Sequence, residues 1–189
     1  MLKAKKLTLL LLSAFLCVSL AVSAVLLLGG KSAAKSAPIA SAAETVHSHS
    51  WSHSTQLTAS TTELSGGNYY LAGDVGLTEK DITVTGNVEI CLNGHKLKGT
   101  GSNSVITVDG SGASLTLYDC NENANDGTIT GGTSNGGVYI IHGASFTMKG
   151  GVITKNESSS GGGVKVLEGG TFTMDGGTIS ENDGGTEYH

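Results

Sequence analysis

The chain has 189 residues, 29 of them Gly and one Pro, and a formal net charge of −5. All 11 basic residues are Lys; six of them fall in Glu44–His189 against all 16 acidic residues, which leaves that part at −10. Such a balance excludes a nucleic-acid partner, which needs a basic face, and an electrostatic grip on anionic lipid, while the length supports a single core.

Residues 1–43 read as a targeting segment. Lys3, Lys5 and Lys6 form a basic start, and the run from Leu7 to Leu28 carries no charge. Ser41-Ala42-Ala43 before Glu44 has the small-residue pattern of a signal-peptidase site. The run is also long enough to span a bilayer, so a signal-anchor helix competes with a cleaved signal peptide; the small residues favour cleavage. Either way the expected location is extracellular or on the cell surface, with membrane contact only through this segment if it stays uncleaved. Cys17 follows Leu16, where a lipoprotein site needs a small residue, so it is not read as a lipid anchor.

Residues 44–65 are polar, rich in Ser and Thr, and read as a linker. His47, His49, Trp51 and His53 would share one side of an extended chain, a spacing that suits Zn or Cu. No Cys or carboxylate among them completes a site, so the expectation is a solvated linker with no metal and no other cofactor.

Residues 66–189 carry the repeat domain. Gly66–Leu77 contains two strand-like pieces, Tyr69–Leu71 and Val75–Leu77, and reads as a capping turn. Downstream, Gly136–Asn156 (GGVYIIHGASFTMKGGVITKN) and Gly162–Asn182 (GGVKVLEGGTFTMDGGTISEN) match position for position with no insertion between them. Val138 answers to Val164, Phe146 to Phe172, Met148 to Met174 and Asn156 to Asn182. A fixed period of this length marks a solenoid. Within a unit, Val164 and Val166 alternate with Lys165, and Phe172 and Met174 with Thr173. That is the period of strands with one buried face. Glycine pairs separate the strands and supply corners. Three strands and three corners make one coil, with like residues stacked about 4.8 Å apart.

Divergent copies lie upstream. Leu115 and Leu117 match Phe146 and Met148, and Ile90 and Leu92 occupy the same slot. Four coils are therefore expected, at about 82–97, 105–129, 138–153 and 164–179. The predicted core is Ile90, Leu92, Leu115, Leu117, Phe146, Met148, Phe172 and Met174. If Ile106 and Val108 point inward, the second copy has a first corner one residue longer than the later coils.

Cys91 and Cys120 stand about one coil apart. Cys91 is expected to point outward, and Cys120 opens the loop Asn121–Gly127. An exported chain permits a disulfide between them; two separate thiols remain the alternative, because Cys120 is displaced along the coil. At the other end Asp183–His189 reads as the turn into a fifth coil, so the C-terminal end is expected to be incomplete.

From Asn68 to Asn182 the chain resembles right-handed parallel β-helix repeat proteins of the pectin-lyase-like superfamily, and most closely the Gly- and Thr-rich surface proteins of anaerobic Gram-positive bacteria. NYYLAGDVGLT, CLNGHKLKG, SLTLYDC and the two FTMxGGxI units carry the resemblance. It implies an all-β solenoid with adhesin-like or carbohydrate-contacting surface roles. The further repeats and wall anchor of that group are expected in a longer chain of which this is the N-terminal piece.

Enzymes of the same fold resemble one another in using Ca-binding acidic clusters with an Arg or Lys base, or close Asp groups with a His. This chain has no Arg. Asp119 and Asp175 are read into roughly one slot with Lys149 between them, Asp109 lies near another coil position, and His95 and His142 are each read as single and exposed. No carboxylate pair fit for glycoside hydrolysis can be nominated, so no catalytic residue and no enzyme activity are expected. Asn156-Glu157-Ser158 has the form of a glycosylation sequon but reads as a coil corner. The expected role is a non-catalytic module for surface contact, adhesion or weak carbohydrate binding, with an extracellular glycan or a host or cell surface as partner. The candidate binding residues are Tyr139, beside Lys165 on the outer face of the first strands, and the ladder Thr116, Thr147 and Thr173 on that of the second strands. The alternatives are the front of a polysaccharide lyase or glycoside hydrolase, and a structural spacer of a larger surface protein.

Overall fold

The structure, a computed structural model, describes residues 54–78, 80–120, 126–167 and 169–185. The targeting segment and the His47–His53 cluster lie outside the described residues. No helix long and apolar enough to cross a membrane occurs among the described residues.

The fold is all-β. β1 (Thr55–Gln56) stands first. Five triplets follow: β2 (Glu63–Leu64), β3 (Gly67–Tyr70) and β4 (Val75–Gly76); β5 (Ile82–Val84), β6 (Asn87–Cys91) and β7 (Lys96–Lys98); β8 (Ile106–Asp109), β9 (Ser114–Tyr118) and β10 (Thr128–Thr130); β11 (Val138–Ile141), β12 (Ser145–Met148) and β13 (Val152–Thr154); β14 (Val164–Val166), β15 (Thr171–Met174) and β16 (Thr178–Ser180). Each triplet, or rung, gives one strand to each of three sheets. The first sheet runs β1-β3-β6-β9-β12-β15, the second β14-β11-β8-β5-β2 and the third β16-β13-β10-β7-β4. Every pairing between named strands is parallel. From β2 onward consecutive strands visit the three sheets in turn, a wiring compatible with a parallel β-helix or solenoid.

Two expectations are corrected at the N-terminal side. There are five rungs among the described residues, not four, because the supposed capping turn is a full rung. The ordered sheet also begins at Thr55, inside the stretch read as linker, and Leu57 and Leu64 are buried there. Strands of two residues are too short to display alternation, and Ser and Thr around them mask the two leucines.

The core is a set of apolar ladders, one residue per rung. Val88, Leu115, Phe146 and Phe172 pair in register, as do Ile90, Leu117, Met148 and Met174. The third sheet adds Val75, Leu97, Ile129, Ile153 and Ile179. Ile90, Leu92, Leu115, Leu117, Phe146 and Met148 are all buried. The expected register on β6 is corrected by two residues, because Val88 and Ile90, not Ile90 and Leu92, pair with Leu115 and Leu117. Ile106 and Val108 point inward as well. Ile106 pairs with Val138 and Ser114 with Ser145, so the corner between β8 and β9 is one residue longer than its successor between β11 and β12.

Phe172 and Met174 keep this register but not the predicted burial. Phe172 is half-buried and Met174 is 46% exposed. The ladder is right; no described residue packs on the far side of the last rung. All exposed large apolar side chains of the described region, Val166, Leu167 and Met174, lie on that rung or its corner.

The Gly pair of the FTMxGG unit has two separate causes. A Cβ on Gly150 would sit 2.8 Å from the backbone N of Asp119, whereas Gly151 holds φ +82°, a region closed to most side chains. Gly176 and Gly177 repeat both constraints, one against the Lys149 carbonyl and one at φ +82°.

Candidate binding surface

The outer face of the first sheet is built by the same alternation that builds the core. Inward Leu115, Phe146 and Phe172 each lie between two outward residues. The outward pairs are Ser114 and Thr116, Ser145 and Thr147, and Thr171 and Thr173. Two hydroxyl columns result, one of Ser114, Ser145 and Thr171, the other of Thr116, Thr147 and Thr173. Asn87 and Glu89 head these columns on β6, and Asn68 precedes Glu89 on β3. Ser114 donates from Oγ to Asn87 Oδ1 at 2.9 Å. The other five hydroxyls have no hydrogen-bond partner among the described residues and face solvent.

The candidate residues lie on two faces. Thr116, Thr147 and Thr173 stack as predicted, and Tyr139 lies on the second sheet, between Thr107 and Lys165. There the Lys165 ammonium sits 5.4 Å from the ring centroid of Tyr139 and donates to Asn135 Oδ1 at 2.9 Å. The Ser114, Ser145 and Thr171 column was overlooked, although each member stands two residues before a predicted ladder Thr.

A third column of the first sheet closes its edge. Tyr70, Cys91 and Tyr118 are in register. Cys91 and Cys120 are joined as a disulfide with Cα atoms 6.2 Å apart. Cys91 is buried by this bond and by its neighbours, not exposed as its outward position suggested. The amide N of Cys120 also donates to Cys91 Sγ at 3.1 Å. Lys149 follows the column and places its ammonium 5.5 Å from the Tyr118 ring centroid.

The carboxylates are structural for the most part. Asp119 does not share a slot with Asp175, because Lys149 stacks on Tyr118. Its two oxygens accept from Gly94 N at 2.7 Å and Gly127 N at 2.8 Å, fastening the corner of one rung to the loop of the next. Asp81 Oδ2 accepts from the hydroxyls of Ser104 and Thr107. The histidines are not single. His142 Nδ1 donates to Asp109 Oδ1 at 2.6 Å, and His95 Nδ1 lies 3.8 Å from Asp74 Oδ1. Each carboxylate belongs to the preceding rung, so the pairs become visible only once the rungs are stacked. His142 is 56% and Asp109 38% exposed, and water screens the pair.

An open cleft of about 280 Å³ lies at a corner of the last two rungs, lined by Ser134, Glu157, Ser158 and Asp183 among others. Its polar groups serve the corner: Ser158 Oγ donates to the Ser134 and Ser160 carbonyls, and Asp183 Oδ1 accepts from Gly185 N. No group of three or more His, Cys, Asp or Glu is placed to hold a metal among the described residues.

Asn156 is a functional residue of the fold that the sequence concealed. It is fully buried. Its Nδ2 donates to the carbonyls of Ile129 and Thr154 and to Asn182 Oδ1, and its Oδ1 accepts from Gly132 N. Asn182 repeats the pattern one rung on, donating to the Ile153 and Ser180 carbonyls. Lys155 and Glu181 before them adopt φ of 55° and 54° in place of the Gly131 that serves the same corner. A buried ladder amide cannot carry a glycan, so the sequon is a corner, as expected.

Comparison with protein-family models, with curated proteins and with solved structures finds no match for the chain.

Proposed function

We propose that the chain is an exported, non-catalytic right-handed parallel β-helix module of the pectin-lyase-like kind, which makes weak, multivalent contact with carbohydrate at a cell surface. The observation that carries this reading is the pair of in-register hydroxyl columns on the first sheet, five of whose six hydroxyls are uncommitted. Each Ser or Thr hydroxyl both donates and accepts, which matches the hydroxyls of a sugar. The parallel wiring and the apolar ladders support the β-helix; the Leu7–Leu28 run and the Ala43–Glu44 junction support export.

Affinity follows from the inventory. A hydrogen bond exchanged with water contributes about 1 kcal/mol, and the columns lack the aromatic anchors that dominate tight interfaces. A few such bonds correspond to roughly millimolar binding by one module. Useful adhesion then needs many copies acting together.

A glycan array probed with the chain as monomer and as a multivalent display tests the reading. Signal on polysaccharides that rises steeply on multivalent display is expected. No signal in either form overturns it. The His142–Asp109 pair is the one observation that favours an enzymatic alternative, since a catalytic His needs such a partner. Release of reducing or unsaturated sugar ends from pectin, lost in His142→Ala, would establish that alternative.

A further inference from the structure

The hydroxyls of the first sheet repeat in two directions. Along each strand, Ser114 and Thr116, Ser145 and Thr147, and Thr171 and Thr173 stand two residues apart, roughly 6.6 Å. Between strands the same positions repeat at about 4.8 Å. All six positions are neutral, and none of the three rungs interrupts the pair. Thr116, Thr147, Thr171 and Thr173 are β-branched and stiff at χ1, so their hydroxyls are held without a partner to orient them.

The third sheet provides the contrast. Thr130, Thr154 and Ser180 form one outward column there, but Val152 breaks the other between Thr128 and Thr178, and Lys96 and Lys98 head both. Several hydroxyls elsewhere are already spent, as in Ser104 and Thr107 on Asp81 and Ser158 on two carbonyls.

A single glycan chain lying along the stack can use one column. The second column gains nothing unless the ligand presents another row of hydroxyls at a fixed distance from the first. Chains packed side by side in an ordered solid do so, and being rigid they lose no freedom on contact. A free chain would prefer a groove that surrounds it, and the array is the outer face of a sheet. From this we infer that Ser114, Thr116, Ser145, Thr147, Thr171 and Thr173 form a lattice that binds the flat face of a crystalline polysaccharide in preference to free or amorphous chains. The inference rests on the carbohydrate reading above and names its substrate form.

The full chain, displayed at high density on beads, is tested for retention on microcrystalline cellulose and chitin, on the same polymers swollen to amorphous form, and against soluble oligosaccharide competitors. At least tenfold stronger retention on the crystalline forms is expected, with little competition by soluble sugar. Thr147→Val with Thr173→Val keeps side-chain shape and β-branching and is expected to lower retention at least tenfold. Thr130→Val with Thr154→Val, on the third sheet, is expected to leave it unchanged; melting curves of both variants check folding. Equal retention on amorphous polymer, or equal effects of the two valine pairs, overturns the lattice and leaves carbohydrate contact standing. Retention on no polysaccharide overturns both.

Discussion

Phe146 and Phe172 stack with ring centroids 5.2 Å apart and planes inclined by 21°, yet Phe146 is buried and Phe172 only half-buried. The two residues occupy the same place in successive repeats, so their difference measures what one more packed layer contributes. Phe146→Ala is expected to cost about 3–5 kcal/mol, the usual loss for a buried aromatic with its cavity. Phe172→Ala should cost about half as much, in proportion to the apolar area it removes from water. Urea denaturation of the two variants checks the ratio; equal losses would contradict the structure at the last rung.

Met148 and Met174 make the same contrast with charge. Met148→Asp places an unpaired carboxylate in the core and should cost about 4 kcal/mol or more. Met174→Asp, at a site 46% exposed, leaves the carboxylate in water and should cost about 1 kcal/mol or less. Thermal melts of the two variants separate the outcomes.

The Cys91–Cys120 bond joins positions separated by 29 residues. Chain-entropy arguments assign such a loop about 3.5 kcal/mol. The urea midpoint should fall accordingly on reduction, and also in Cys91→Ser with Cys120→Ser. Labelling of unfolded, unreduced protein at either position by a thiol reagent would show that the bond is absent.

Removing the Asn156 amide leaves Gly132 N and the Ile129 and Thr154 carbonyls without that partner. Each buried unsatisfied group costs about 1–3 kcal/mol, so Asn156→Ala should lose about 3 kcal/mol or more. Asn182→Ala, at a half-buried site, should lose less. Expressed in a glycosylating host, the folded chain should carry no glycan at Asn156; mass spectrometry of the peptide decides this.

These residues also mark where reading the chain succeeded. Phe146, Met148 and their partners were legible because strict alternation and an unbroken repeat fix both face and register. Thr116, Thr147 and Thr173 were legible for the same reason. Asn156 was not, since a polar residue between Lys155 and Glu157 looks solvated until the neighbouring rungs bury it. The Asp109–His142 contact joins two different rungs and depends on a stacking that local pattern does not encode. Tyr139 stands beside Lys165 on a strand face separate from the Thr column, because the unbroken repeat carries one first strand directly onto the next. Leu57 and Leu64 escaped notice because a two-residue strand has no period to display.

All three strands of the last two rungs pair at one and the same offset, as Val138 with Val164, Phe146 with Phe172 and Ile153 with Ile179 show. In the earlier rungs the offset changes from one sheet to the next. Residues 138–163 therefore behave as an interchangeable cassette. An in-frame duplication of that block should insert a complete layer, with copies of Val138, Ile140, Phe146, Met148 and Ile153 facing in, copies of Ser145 and Thr147 facing out, and Asn156 meeting its own copy. Unequal crossing-over between the two matching gene segments would lengthen or shorten the hydroxyl lattice by whole rows without a single point mutation. The reach of the surface is thus adjustable by recombination, in steps that never pass through a misfolded register.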